Sequence, residues 1–342
     1  MKEGKFMILD EVFFIVYNNI LLNLIYYYLS EQKIKILVFG SNGLVGSSIV
    51  RNLSSNSNYE IITSSRKKVN LFDFNQTYDF VQSENPDVVI NAAAKVGGIE
   101  ANNSQRFDFI IDNLKINMNI LESIKNKSDI KLINLGSSCI YPIDAKNPIN
   151  ESSLMGGKLE RTNSPYAMAK LTAIEIADAM KIEFGHKIIN LMPTNLYGPN
   201  DYFNPINSHV IPGMIYKFHT AKINNNNEVE VWGDGTPLRE FLYVDDLADA
   251  IAFILDNDIS DDLINIGSSE EVSIKNLSSL VKEVTNYDGK IKFDKSKPNG
   301  IMKKYLDSNL IFSYGWKPKT NLNQGLYQTY EWFVKNLESL RI

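Results

Sequence analysis

The sequence predicts an α/β fold built on a doubly wound parallel sheet, and three observations carry that prediction. Short, continuously apolar runs recur along the chain, as buried parallel strands require. Stretches with helical spacing separate them. A glycine-spaced turn, Gly40 to Gly46, joins the first apolar run to the first helical pattern.

In chain order, Lys35 to Phe39 reads as the first strand and runs into Gly40-Ser41-Asn42-Gly43-Leu44-Val45-Gly46, after which Ser47 to Val50 begin a helix. Glycine lets the backbone approach a pyrophosphate, the helix N-terminus offers free N–H groups, and the last glycine lets helix and strand pack closely. The sheet is therefore expected to be of Rossmann type, although the spacing is Gly-x-x-Gly-x-x-Gly. Glu60 to Thr63 forms a second strand that ends in Ser64-Ser65-Arg66-Lys67-Lys68. An acid here would hold the ribose 2′-hydroxyl of NAD, whereas a cation accommodates the 2′-phosphate of NADP. Cations alone follow, so NADP(H) is the expected cofactor; a solvated basic loop is the plainer reading. Asp87 to Ile90 leads into Asn91-Ala-Ala-Ala94, and Lys131 to Leu135 leads into Gly136-Ser137-Ser138-Cys139. Both strand ends should open on the cofactor, with a helix over Phe109 to Ile124 between them.

Composition narrows the class. The chain has 342 residues, 35 Lys+Arg against 40 Asp+Glu, 44% hydrophobic and 22% charged residues. That length suits about two domains, and the balance excludes a disordered chain, a polytopic membrane protein and a basic nucleic-acid binder. A single cysteine, Cys139, rules out an internal disulfide or a Cys-rich metal site and fits a reducing cytoplasm. Histidine is scarce too: His186, His209 and His219. Residues 1–30 differ from the rest. No charge occurs from Val12 to Leu29, but Asn18, Asn19 and Asn23 interrupt the run and Asp10 and Glu11 precede it. A dispensable extension, a docking or interfacial helix and a membrane anchor all remain open for it, the anchor being least favoured.

Tyr166-Ala-Met-Ala-Lys170 places a phenol and an ammonium four residues apart, on one helix face, with Pro165 suited to a helix start. A nearby ammonium is expected to lower the phenol's pKa. Ser137, at a strand's carboxyl end, could hydrogen-bond the carbonyl oxygen that Tyr166 protonates. Serine, tyrosine and lysine after a glycine turn resemble the signature of short-chain dehydrogenases/reductases. Asn91-Ala-Ala-Ala-Lys-Val-Gly-Gly-Ile99, Leu135-Gly-Ser-Ser-Cys-Ile-Tyr-Pro142, Met192-Pro-Thr-Asn-Leu-Tyr-Gly-Pro199, Asn207-Ser-His-Val-Ile-Pro212 and Val231 to Phe241 sharpen this. From about Lys33 to the C-terminus the chain resembles the GDP-L-fucose synthases, an extended branch of that superfamily.

The resemblance implies an enzyme that inverts C3 and C5 of a GDP-bound 4-keto-6-deoxymannose and then reduces C4 with NADPH. It makes Cys139 and His209 the epimerising acid/base pair and gives Ser137, Tyr166 and Lys170 to the reduction. Gly40 to Gly46, Arg66, Leu135, Gly136, Ser137, Ser138, Lys170, Pro193, Thr194, Asn195, Leu196 and His209 would line the cofactor. Lys217, Trp232, Arg239 and Lys304 would hold the GDP-sugar, and no metal is expected. Asn42 stands where some family members carry arginine, leaving Arg66 as the main 2′-phosphate ligand, and Asn299 replaces a familiar aspartate. A cofactor domain over 33–191 plus 241–266, a smaller α/β substrate-binding domain over 193–240 plus 272–342, a separate 1–32 extension, and a homodimer are further expectations. Another nucleotide-sugar epimerase or dehydratase, or a catalytically silent nucleotide-binding regulator, would be the alternatives.

Overall fold

The computed structural model describes residues 33–297 and 299–340, so the readings for the N-terminal extension fall outside the described residues. Elements follow in the order β1 (Ile34–Phe39), α1 (Leu44–Leu53), β2 (Tyr59–Thr63), α2 (Phe74–Glu84), β3 (Val88–Asn91), α3 (Ile99–Ser104), α4 (Arg106–Ile124) and β4 (Lys131–Leu135). Then come α5 (Ser164–Phe184), β5 (Lys187–Pro193), β6 (Asn195–Tyr197), α6 (Val210–Ile223), β7 (Glu228–Trp232), β8 (Leu238–Tyr243) and α7 (Val244–Asp256). The chain continues through β9 (Leu263–Ile266), β10 (Glu271–Ser273), α8 (Ile274–Thr285), β11 (Lys290–Asp294), β12 (Lys303–Lys304), α9 (Asn309–Ser313) and α10 (Leu322–Lys335).

The expected doubly wound sheet is present: six strands in the order β2-β1-β3-β4-β5-β9, every pairing parallel. The chain leaves β1 to one side for β2 and returns on the other side as β3. That reversal puts the glycine turn at the switch point, where such sheets bind ligands. Apolar runs bury both sheet faces. Ile36, Val38, Ile90, Ile133 and Leu191 pack against α1 and α7. On the opposite face Leu37, Val89, Leu132 and Ile188 meet α4 and α5 through Ile116, Ile120, Ala173 and Ala177.

A second core gathers Ile215, Phe218, Val229, Val231, Phe241, Leu277, Val281, Leu326 and Phe333 from α6, β7, β8, α8 and α10, with Phe203 from the loop before α6. β8 ties the short strands together, pairing with β6, β10 and β12, while β7 pairs with β11. Ile311 and Trp316, inside the stretch assigned from sequence to the smaller unit, pack instead into the first core.

Local chemistry explains the helix limits. Helix α1 begins at Leu44, ahead of the sequence pattern, because extended Gly43 already serves as its N-cap. Asp73 caps α2 by accepting the Gln76 N–H at 3.1 Å. Helix α5 has Pro165 in its first turn and stops at Gly185, where φ is +73°. Among the described residues no helix is long and apolar enough to cross a membrane.

Candidate active site

At the switch point the backbone is packed too closely for side chains. Gly40 has φ +76°, and a Cβ there would stand 2.6 Å from the Ala92 carbonyl oxygen; a Cβ on Gly46 would strike the Gly40 carbonyl. The Gly43 N–H donates to Gly40 O at 3.0 Å and closes the turn. No side chain caps the N-terminus of α1 and its first turn carries no acid. Its first N–H groups therefore face outward as an anion cradle, which fits a dinucleotide pyrophosphate. Leu44 and Val45 open the helix, Asn42 is exposed, and Arg66 is exposed just beyond β2. Buried Ser41 reaches across to that strand end, its hydroxyl donating to Ser64 O.

The strand ends next to this cradle hold the reactive groups. Asn91, Asn134 and Asn190 stand level on β3, β4 and β5 and are joined through side-chain amides, Asn91 to Asn134 at 3.2 Å and Asn134 to Asn190 at 2.8 Å. One residue further along β4, Leu135 O accepts the Lys170 ammonium at 2.6 Å, and Gly136 N–H donates to Leu191 O at 2.8 Å. Ser138 is buried beside them. Ser137 Oγ accepts the Cys139 N–H at 3.2 Å and also hydrogen-bonds the Tyr166 phenol.

The electrostatics depart from the simple ammonium argument. Burial pushes the Tyr166 pKa above its usual range, the charge of nearby Cys139 pushes the same way, and the Ser137 hydrogen bond opposes both. The Lys170 ammonium donates to Leu135 O, and burial brings its own pKa down to about 8. Cys139 is also close enough to Arg239 for their charges to interact, so the thiol is near both phenol and guanidinium.

Beyond Pro193 the chain turns through Thr194, Asn195 and Leu196 into β6. Thr194 N–H donates to Ile266 O at 3.0 Å, and Asn195 Nδ2 to Glu240 O at 2.8 Å. Glu240 carries no exposed surface, and its carboxylate accepts Ser269 N–H at 2.8 Å and Leu306 N–H at 3.0 Å. It knots together β8, the end of β9 and the chain leaving β12. Arg239, next to it, is half-buried, and Lys304 pairs with it in register.

Trp232, 37% exposed at the end of β7, has the Lys217 and Lys297 ammonium groups each 5.4 Å from its ring. Burial lowers the Lys217 pKa, with Glu230 opposing. Asn299 Oδ1 accepts the Asp234 N–H at 2.9 Å, fastening this loop to the turn after Trp232. His209 forms the N-cap of α6, accessible within the cleft, and its protein surroundings lower its pKa. Among the described residues no hydrogen bond joins His209 to Cys139; the structure groups Ser137, Cys139, Tyr166, Lys170 and Arg239, and separately Lys217 with Trp232.

Sequence reading missed Lys297 and Glu240. Lys297 lies in the Ser296-Lys-Pro-Asn-Gly300 segment already noticed for Asn299, but nothing local pairs it with Trp232. Glu240 precedes Phe241 in the Val231 to Phe241 stretch, and only its burial distinguishes it from a surface acid.

Residues 36–267 match the model of the NAD dependent epimerase/dehydratase family. The chain belongs to this family. Within it, the chain is 48% identical over 309 residues to GDP-L-fucose synthase 1 of Arabidopsis thaliana, covering 90% of this chain and 96% of that one. It is 41% identical over 321 residues to the GDP-L-fucose synthase of Escherichia coli (strain K12), covering 91% and 99%. A solved GDP-L-fucose synthetase from Naegleria fowleri, bound to NADP, superposes with a TM-score of 0.82 at 29% identity over 91% of this chain and 97% of that one. The resemblance to the GDP-L-fucose synthases read from the sequence segments is borne out by these relatives, and family membership together with the glycine cradle makes the cofactor a nicotinamide dinucleotide.

Proposed function

We propose that this family member converts GDP-4-dehydro-6-deoxy-D-mannose to GDP-L-fucose, epimerising C3 and C5 before an NADPH-dependent reduction at C4. The observation that carries this reading is Cys139, whose N–H donates to Ser137 Oγ at 3.2 Å and whose thiol interacts electrostatically with both the Tyr166 phenol and the Arg239 guanidinium, which adds a proton-transfer group to a reductase centre.

The 4-keto group acidifies the hydrogens on both neighbouring carbons. Cys139 and His209 take a proton from each carbon and return one to its opposite face, a change that leaves the atom count of the sugar unaltered. Tyr166, kept protonated at neutral pH by burial, then gives its proton to the C4 oxygen, with Ser137 orienting the same oxygen. Lys170 holds its ammonium at the strand end and organises the site around the tyrosine. When bound, the nicotinamide supplies hydride to C4. Gly40 to Gly46 would hold its pyrophosphate, and Arg66 its 2′-phosphate. Arg239 and Lys304 suit the substrate diphosphate, while Lys217 and Trp232 suit the rest of the nucleotide.

The 33–191 plus 241–266 and 193–240 plus 272–342 division remains our reading of the two units. A homodimer in the cytoplasm completes it. Phe107, 72% exposed, and Met168, 46% exposed, lie beside Ile110 and Pro165 on the outer face of α4 and α5, an apolar surface that a second copy would cover.

Incubation with GDP-4-keto-6-deoxymannose and NADPH, followed by product analysis, tests the reaction; GDP-L-fucose is expected, and any other product or none refutes it. Arg66→Ser should raise the KM for NADPH about tenfold while leaving that for NADH unchanged. Equal effects on both cofactors would remove Arg66 from the 2′-phosphate.

A further inference from the structure

Gly97 and Gly98 lie in the loop between β3 and α3, and their packing ties the two units together near the reacting groups. The Gly98 N–H donates to Asn207 O at 2.8 Å, and a Cβ on Gly98 would collide with the Ser208 carbonyl. A Cβ on Gly97 would stand 2.9 Å from Ala101 Cβ and 3.2 Å from the Phe109 ring. Phe109 itself meets the Tyr166 ring edge-on, with centroids 6.5 Å apart. Only glycine lets two backbones approach this closely.

Both sides of the contact are braced. Buried Asn102 donates through Nδ2 to Gly97 O at 2.7 Å and to Gly98 O at 3.0 Å. On the facing loop Asn204 Oδ1 accepts the N–H groups of Ile206 at 3.0 Å and Asn207 at 2.9 Å, and Ser208 Oγ donates to Asn204 O. The next residue is His209, whose carbonyl accepts the Gly213 N–H at 3.1 Å and so starts α6. The clamped peptide therefore leads directly into the imidazole-bearing residue.

We propose that Asn102, Gly97 and Gly98 form a clamp that positions His209. The clamp holds the imidazole in fixed relation to the β4 end that carries Cys139, and so sets the rate of proton transfer at C3 and C5 without touching substrate. This rests on the epimerase reading above. Contacts between units of one chain allow relative motion unless something locks them, and a misplacement of about 1 Å can cost about a hundredfold in rate. A main-chain hydrogen bond between glycine and a braced loop is a short, stiff lock.

The test uses the full chain with GDP-4-keto-6-deoxymannose in deuterated water, without NADPH, and follows deuterium entry at C3 and C5. Asn102→Ala and Gly98→Ala should each slow exchange about tenfold or more, with NADPH binding close to wild type for Asn102→Ala although its melting temperature falls. Adding Asn102→Ala to His209→Gln should slow exchange no further, because the clamp acts only through that imidazole. Should Gly98→Ala not fold, Asn102→Ala still decides the matter. Wild-type exchange in Asn102→Ala, or a loss that multiplies on top of His209→Gln, would overturn the clamp. Absence of exchange in the wild type would instead overturn the epimerase reading beneath it.

Discussion

On the β4 side of the cleft, Ser137, Tyr166 and Lys170 stand on or against parallel strands whose ends are held level by Asn91, Asn134 and Asn190. On the β7 side, Trp232, Lys217 and Lys297 meet at the end of a short strand, with 37% of the tryptophan exposed. In the first set Lys170 is buried and Ser137 and Tyr166 half-buried, and the phenol and ammonium take their electrostatics from desolvation. In the second Lys297 is exposed and Lys217 half-buried, and the turn after Trp232 is held by Asn299 accepting the Asp234 N–H and by the Gly233 N–H donating to Asp294 O. Chemistry that must move a proton over a short distance is built into the sheet, whereas recognition of a charged, extended ligand is left to groups that can adjust.

This contrast can be broken most sharply at Tyr166. Tyr166→Phe should cut the reduction by about 10²–10⁴-fold while leaving C3 and C5 exchange and the melting temperature near wild type. Reduction at wild-type rate would show that the buried side does not hold the proton donor. The pH profile is next. The Lys170 pKa is lowered to about 8, so its ammonium is present below that pH and lost above it. The reduction rate should fall as pH rises through about 8, by about tenfold per pH unit, and Lys170→Met should abolish that limb. A limb that persists in the variant would assign it to another group.

Glu240 probes the junction between the two sides. Glu240→Ala leaves the buried N–H groups of Ser269 and Leu306 without an acceptor and should cost about 2–5 kcal/mol in urea unfolding, more than Glu240→Gln. Equal stability in both variants would mean that the carboxylate does not join the units. Smallest of all, Lys297→Ala should raise the KM for the GDP-sugar only a few-fold and leave kcat unchanged, as an exposed cation–π contact of about 0.5–1 kcal/mol implies. A fall in kcat would place Lys297 among the reacting groups and blur the distinction.

Most of the first side was legible beforehand because its signals are local. Gly40 to Gly46 follows an apolar run, and Tyr166 and Lys170 share a helix face by spacing alone. Less of the second side was legible. Lys297 reaches Trp232 through a loop, and Glu240 differs from a surface acid only in what encloses it. Even on the first side the direction of one shift was not legible: helical spacing put Lys170 on the face of Tyr166, but burial dominates and raises the phenol's pKa. The return of Ile311 and Trp316 to the first core was hidden for the same reason, since a late helix carries no mark of the sheet it will cover.

By itself the sequence determined the element types, the parallel sheet, the glycine cradle and the identities of the reactive groups, because periodicity and spacing act between near neighbours in the chain. Tertiary structure alone decided which of those groups are desolvated, which way their pKa values move, and how His209 is tied to the sheet through Gly98 and Asn207. Those properties depend on the dielectric surroundings and on contacts between distant segments. Both exist only once the two cores have packed.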